Sequence, residues 1–497
     1  MATAISKARQ SSIAQQHAIR PPEGGNVMLA YPGKLPTHDI LLTPPSELIP
    51  LWPETGSQAA TSHNRLYFGD NLPILASLLR DPTVRGHVRL VYIDPPYATS
   101  GVFQSRNQVD AYADLLTGAS YLEFVRQRLI LLRELLADNG SIYVHLDDNM
   151  AFYVKVLMDE VFGVSNFRNW ITRKKCNPKN YTRKTFGNVA DFLLFYTKTD
   201  SYVWHRPLEG WTPERSAKEY QYVEERSGRR YKKVPIHAPG VRNGETGQVW
   251  RGMSPPPGKH WQYTPKTLEE MDARGEIYWS PTGNPRRKVY LDESDGVPVQ
   301  DIWLDFRDAH NQNIEVTGYP TEKNPNLLSL IIEASSNPGD LVLDCFAGSG
   351  TTLAVASQLE RRWIGIDNSR EAIATTLRRF TTGSERMGDF VSLRTGVNGT
   401  DKKAPQQATP SLFDLADTKV QIVGTNDGHR PITDFVLLSE ASLTRYLTSD
   451  VMTWQSLSKT NVPETVVDYE ATPVDAKNSG GAGPSPAQRE HSSVATT

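Results

Sequence analysis

Apolar positions along the chain switch between two spacings in a regular order. Arg65-Leu66-Tyr67-Phe68, closed by Gly69-Asp70, reads as a short strand. Leu72, Leu75, Leu78 and Leu79 then share one helical face, and Asp81-Pro82 stops that helix before a second apolar run at residues 89–93. Strand, helix and strand in succession predict a βαβ unit, and so a parallel sheet with a right-handed crossover. Between residues 121 and 136, apolar side chains recur at 122, 125, 129, 132, 135 and 136, the spacing of an amphipathic helix ended by Asn139-Gly140. Residues 141–146 read as a strand, Asp147-Asp148-Asn149 as the cap of a helix to Val161, and residues 191–196 as another strand. The alternation resumes much later. A helix over 325–335 would bury Leu327, Leu328, Ile331 and Ile332; a strand at 341–343, a helix to Leu359 and a strand at 363–366 ending in Asp367 follow. The fold class is therefore α/β.

Between and around these blocks the pattern lapses. Residues 1–60 lack periodicity and are expected to form a flexible arm, and residues 98–116 make a long loop beside a strand end, the usual place of a lid. Residues 167–189 carry Arg168, Arg173, Lys174, Lys175, Lys179, Arg183 and Lys184 with no acid, interleaved with Trp170, Tyr181 and Phe186, which reads as a loop over phosphates or an unstacked base. Residues 201–310 hold six of the ten tryptophans and read as a loop-rich insert stabilised by aromatic burial. Beyond residue 390 come a strand-like Val420-Gln421-Ile422-Val423, an apolar helix around 435–447, and a Ser-, Gly- and Pro-rich tail expected to be disordered.

Composition narrows the function classes. At 497 residues, 38% hydrophobic and 22% charged, the chain can hold two or three domains with their own cores. A net charge of −2 excludes a wholesale basic coat, so a nucleic-acid site has to be a local patch. Cys176 and Cys345 stand far apart without CxxC spacing, which argues against a disulfide scaffold or a zinc site and for a reducing cytoplasm. No apolar run approaches the roughly 18 residues of a membrane span.

Two loops carry the candidate chemistry. The strand Leu90-Val91-Tyr92-Ile93 runs into Asp94-Pro95-Pro96-Tyr97, and prolines cannot extend a ladder, so the strand must stop at Asp94. A carboxylate, a backbone carbonyl and an aromatic face then stand together at the carboxyl edge of a sheet, where ligands of open α/β sheets bind. That set suits an exocyclic amine: the acceptors take its two protons while Tyr97 stacks on the ring. The second loop is Asp344-Cys345-Phe346-Ala347-Gly348-Ser349-Gly350-Thr351-Thr352, with Asp367 ending the next strand. Glycines 348 and 350 allow a tight turn against a ligand and Asp367 can accept from ribose hydroxyls, but the third glycine that would seat a pyrophosphate is missing. A nucleoside without phosphates, such as S-adenosylmethionine, fits. His145, Asp147 and Asp148 read as strand-end and capping residues, not as metal ligands, and no metal is expected.

These motifs resemble those of the S-adenosylmethionine-dependent DNA amino-methyltransferases. Residues 343–352 and 365–367 are similar to the cofactor site of that family, IDPPY to its catalytic motif, and residues 319–340 to the segment before the cofactor loop. The catalytic motif precedes the cofactor motif, as in the beta class, which implies a circularly permuted Rossmann-like sheet with an inserted target-recognition region. The resemblance implies a catalytic half at 61–200, target recognition at 201–310, a cofactor half at 311–390 and an accessory segment from 391. By the same resemblance Asp94, Pro95 and Tyr97 would bind the target amine and base, with Pro96 shaping the turn. Asp344, Phe346, Gly348, Gly350 and Thr351 would surround the cofactor's methionine end and Asp367 its ribose, with Asp70, Thr321, Lys323 and Asn326 as further contacts. Ala98-Thr99 depart from the Asn-Thr that many relatives carry after this motif. The implied reaction is methylation of the N6 amine of a flipped adenine in double-stranded DNA, by a bacterial, cytoplasmic, nucleoid-associated enzyme that pairs as a homodimer and accompanies a restriction or phage-defence partner. The alternative is cytosine N4 on the same fold, a group in which Ser is commoner at the place of Asp94.

Overall fold

The computed structural model describes residues 27–53, 64–97, 118–177, 184–308, 322–382 and 431–447, with shorter pieces at 102–104, 110–113, 315–317, 319, 385–386, 450–452 and 454–455. Ten strands form one sheet: β1 (Leu48–Trp52), β2 (Arg65–Phe68), β3 (Val88–Ile93), β4 (Leu136–Leu146), β5 (Phe167–Lys174), β6 (Ala190–Thr197), β7 (Ile302–Trp303), β8 (Leu341–Asp344), β9 (Arg362–Asp367) and β10 (Val436–Glu440). Their spatial order is β1-β10-β2-β9-β8-β3-β4-β6-β5-β7. All pairs from β10 to β4 are parallel, whereas β6 runs antiparallel to both β4 and β5.

Helices cover both faces. On one side lie α1 (Asn71–Leu78), α2 (Gly118–Leu135) and α3 (Ala151–Phe162), which bury Ile74, Leu75, Val125, Leu129, Leu132, Val154, Leu157 and Met158 against Val91 and Ile93. On the other lie α4 (Pro325–Ser335), α5 (Thr351–Gln358) and α6 (Arg370–Thr382), whose Leu328, Ile332, Leu353, Ile373 and Phe380 pack with Leu90, Tyr92, Val342 and Trp363. Alternate residues of β3 thus serve opposite layers, as the two-residue period of a central strand requires. From the centre the chain leaves β3 through α2 to β4 on one hand, and β8 through α5 to β9 on the other. The order of connection, though not the direction of the strands, reverses between β8 and β3. The expected α/β, Rossmann-like architecture is present with the strand into Asp94 preceding the strand into Asp344 in the chain, so that two strands about 250 residues apart lie side by side.

The helix expected over 121–136 ends at Leu135, and Asn139-Gly140 lies instead in β4, where its register with β3 shifts. Three further expectations need correction. The arm over 1–60 is not free throughout: β1 pairs antiparallel with β10, and Ser46 Oγ donates to Glu440 Oε1 at 2.6 Å. Residues 435–447 are not a helix, because Val436–Glu440 is a strand wedged between β1 and β2. The four-residue apolar run Phe435-Val436-Leu437-Leu438 is too short for period to separate strand from helix, and here two open ladders claim it. Residues 167–174 are not a phosphate loop but strand β5. Arg173 in it is buried in a two-pronged bond to Asp191 and a further bond to Asp308, and Arg168 pairs with Asp200, so tertiary partners distant in sequence neutralise these charges. Residues 178–183, with Lys179, Tyr181 and Arg183, lie outside the described residues, as do 420–423 and the tail beyond 455. Within 98–116, only two short paired strands, Val102–Gln104 and Asp110–Ala113, are described.

Between β6 and β7 the insert builds its own four-stranded sheet from Tyr222–Val223, Arg230–Pro235, Pro285–Tyr290 and Ile277–Trp279. Ile236, Trp250, Trp261, Leu268, Met271 and Ile277 form its separate core, and β7 returns the chain parallel to β5 at the far edge of the main sheet. Among the described residues no helix is long and apolar enough to cross a membrane.

Candidate active site

At the carboxyl ends of β3 and β8 opens a cavity of about 110 Å³. Both motifs reach it. Asp94, Pro95, Pro96 and Tyr97 line it from β3, and Asp344, Phe346, Ala347, Gly348, Ser349, Thr351 and Thr352 from β8, with Asp367 from β9. The loop after β8 is held open by its own polar groups: Asp344 accepts from Phe346 N (2.9 Å) and Thr352 Oγ1 (2.6 Å). Asp367 accepts from Gly348 N and Ser369 N, both at 2.8 Å. Gly350 takes φ +73° at the head of α5, and a Cβ there would stand 2.7 Å from Thr376. Only glycine meets both conditions without strain.

At Asp94 the geometry is specific. Tyr97 donates its hydroxyl to Oδ1 at 2.5 Å, and the Lys323 ammonium bonds Oδ2. Lys323 itself is buried and lies 5.5 Å from the Tyr97 ring centre. Burial lifts the Tyr97 hydroxyl well above its ordinary pKa, so it stays a donor. Burial also pushes Asp344 up to about 7 and Asp367 up to about 6. A buried carboxyl and a partly buried one, held by N–H and hydroxyl donors, favour a ligand that brings positive charge. S-adenosylmethionine, with its sulfonium and ammonium, fits that donor set, and its ribose hydroxyls fit Asp367.

Not every residue expected here lines the cavity. Asp70 caps α1 by accepting from Leu72 N and pairs with Arg128 at 3.0 Å, its side chain 56% exposed. Asn326 sits in the first turn of α4, its N–H bound to Asn324 Oδ1, and Gly350 shapes the turn from behind. None of the three is a lining residue. Thr321 lies outside the described residues. Tyr92, Tyr319, Glu322, Ser349, Thr352 and Asn368 line the cavity without having been singled out. Glu322 accepts from Thr317 N and Oγ1, each at 2.8 Å, and pairs with Arg379, which also donates to Ser349 O at 2.7 Å. It therefore ties the strand before α4, the glycine loop and α6 together. Its one sequence signal was its place beside Lys323 in Tyr319-Pro320-Thr321-Glu322-Lys323.

Behind the Asp94 loop a buried polar chain crosses the sheet. Tyr92 Oη lies 2.8 Å from His145 Nδ1, and His145 Nε2 lies 3.0 Å from Asp191 Oδ2, although its N–H points off that line. Burial works against the Asp191 charge, yet His145 and Arg173 hold its carboxyl well below the usual range. On the opposite side of the cofactor loop, Asn71 donates to Cys345 O (2.6 Å) and accepts from Arg128 Nε (2.5 Å).

A family profile described as DNA methylase, of the N6/N4 methyltransferases, matches residues 88–378. The type II methyltransferase M.EcaI of Enterobacter cloacae is 48% identical over 401 residues, covering 79% of this chain and 87% of that one. The StyLTI Mod subunit of a type III restriction-modification enzyme from Salmonella typhimurium is 27% identical over 333 residues, 60% of this chain and 50% of its own length. The DNA adenine methyltransferase YhdJ of Escherichia coli is 48% identical over 116 residues, 22% of this chain and 39% of that one. Among solved structures, the M1.HpyAVI–SAM complex aligns with 63% of this chain and 98% of its own at 17% identity, with a TM-score of 0.35 that carries no argument by itself. With the profile spanning more than half of its length and M.EcaI nearly half identical to it, this chain belongs to the N6/N4 DNA methylases, S-adenosylmethionine-dependent methyltransferases that act on DNA.

Proposed function

We propose that this enzyme methylates the N6 amine of an adenine flipped out of duplex DNA. One observation carries the reading: Asp94 and Tyr97 open onto the same cavity as the Phe346 to Thr352 loop, from adjacent parallel strands. A paired and stacked amine cannot reach that cavity, so the nucleotide has to leave the helix, at a cost of about a few kcal/mol. Stacking on Tyr97, about 1–3 kcal/mol, offsets part of it. Asp94 and the Pro95 carbonyl accept the two amine protons and turn the nitrogen lone pair toward the methyl donor, so rate comes from positioning. Lys323 has to yield its place on Asp94 Oδ2 as the amine arrives. The cofactor supplies an electrophilic methyl group on a sulfonium; no covalent enzyme intermediate is needed.

Adenine is favoured over cytosine N4 by the acid at position 94 and by the adenine specificity in the name of YhdJ. In this reading residues 201–310 are the target-recognition region and the chain works as a homodimer; a restriction nuclease or other defence partner accompanies it, a reading supported by the restriction-modification enzyme in the name of one relative. The test is nucleoside mass spectrometry of duplex DNA treated with wild-type and Asp94→Ala protein. N6-methyladenine from the wild type alone, with S-adenosylmethionine binding intact in the variant, is expected. N4-methylcytosine would move the assignment to the other base, and unchanged turnover in Asp94→Ala would remove Asp94 from the chemistry.

A further inference from the structure

Methylating an exocyclic amine leaves a proton over. The nitrogen lone pair forms the new N–C bond while the S–C pair departs with sulfur, and the cationic nitrogen then sheds H⁺. Asp94 keeps the Tyr97 hydroxyl on Oδ1 and holds the amine on Oδ2, so a proton leaving the nitrogen needs a further acceptor at the cavity wall on its way out. Tyr92 lines that wall, and its hydroxyl opens the buried chain to His145, Asp191 and Arg173, all four no more than 2% exposed.

The order of groups in that chain is informative. With the proton on Nε2, which lies 3.0 Å from Asp191 Oδ2 without being aimed at it, His145 has a bare Nδ1 that accepts from the Tyr92 hydroxyl. Tyr92 can then take a proton on oxygen while giving its own to Nδ1, and no phenolate forms. Asp191 stabilises the resulting imidazolium, as the carboxylate of an acceptor, imidazole and acid triad does. Arg173 grips Asp191 at 2.8 and 2.7 Å, and Asp308, 2.6 Å from Arg173 and one-third exposed, brings the chain to the surface. Among the described residues, Tyr97 has its ring centre 6.5 Å from the imidazole, and Asp94 and Asp344 act by their charge on Tyr92. We propose that Tyr92 and His145, braced by Asp191 and Arg173, carry the surplus amine proton out of the cavity. The proposal rests on the amine chemistry of the family and holds for either base.

Single-turnover methyl transfer from labelled S-adenosylmethionine to duplex DNA, followed from pH 5.5 to 8.5, tests it. The wild-type rate should fall on the acid side, where a proton acceptor is lost. Tyr92→Phe, which keeps the ring, and His145→Gln should each slow the step about 100-fold at pH 7.5 and lose that acid limb. Cofactor affinity and the fluorescence of a flipped 2-aminopurine should stay as in the wild type, and the double variant should be no slower than either single one. A wild-type rate in Tyr92→Phe, or variants that slow equally at every pH with the limb retained, overturns the proton path. Failure of the wild type to methylate any base would instead count against the family's reaction in this chain, so the two failures are distinguishable.

Discussion

Cofactor binding should be coupled to proton release at Asp344. Burial holds this carboxyl at about 7 in the free protein, against 3.8 for an exposed aspartate. From pH 3.8 upward an unfolded chain has given up the proton while the native one keeps it, so the group's contribution to stability is fully present in acid and is lost as pH rises through about 7. A cation bound beside the carboxyl favours its ionised form, and apparent affinity then scales with the ionised fraction of the free protein. The dissociation constant is multiplied by about 11 at pH 6 and about 1.1 at pH 8, so binding weakens about tenfold, or about 1.4 kcal/mol, between the two. Titration calorimetry in buffers of different ionisation enthalpy reads both affinity and protons: about 0.9 proton released per ligand at pH 6 and about 0.1 at pH 8. Asp344→Asn should bind less tightly with a flat profile. A wild-type dissociation constant unchanged within twofold across that range, or proton uptake on binding, would refute the reasoning.

Because the Tyr97 hydroxyl donates to Asp94, Tyr97→Phe should lose about tenfold in kcat, and Tyr97→Ala, which also loses the stacking face, at least a further tenfold; full activity in the phenylalanine variant would show the bond to be idle. Arg173→Met leaves Asp191 without its buried partner and should lower unfolding free energy in urea by about 3–5 kcal/mol, whereas a loss under 1 kcal/mol would mean that the pair is dispensable. A chain stopped at residue 430 lacks β10 and should be insoluble or show no cooperative thermal transition, and a soluble, sharply melting product would contradict the sheet order.

What could be read from the residues was local in origin. The apolar runs into Asp94 and Asp344 announce buried strands, and prolines or glycines directly after them state where each strand must stop, so the two ends of the site were legible without coordinates. Asp70 was not decidable, since an acid after a strand caps a helix or meets a ligand with equal ease, and the Arg128 that claims it lies 58 residues away. The basic residues of β5 misled for a similar reason. Charges without nearby acids resemble a phosphate-binding loop until the sheet brings Asp191, Asp200 and Asp308 beside them. Nor does any period reveal that Tyr92, His145 and Asp191 form one line, because their order is set by strand neighbours, not by chain neighbours.

The place of β10 also constrains how the molecule is made. β1 pairs with β10 alone in the sheet, and β10 in turn sits against β2, so the amino-terminal edge has no docking surface until residues 436–440 have left the ribosome. Nascent chains therefore wait with β1 and the flank of β2 uncovered until that segment emerges, a contact of very long sequence separation that slows closure and leaves an open ladder for other strands to find.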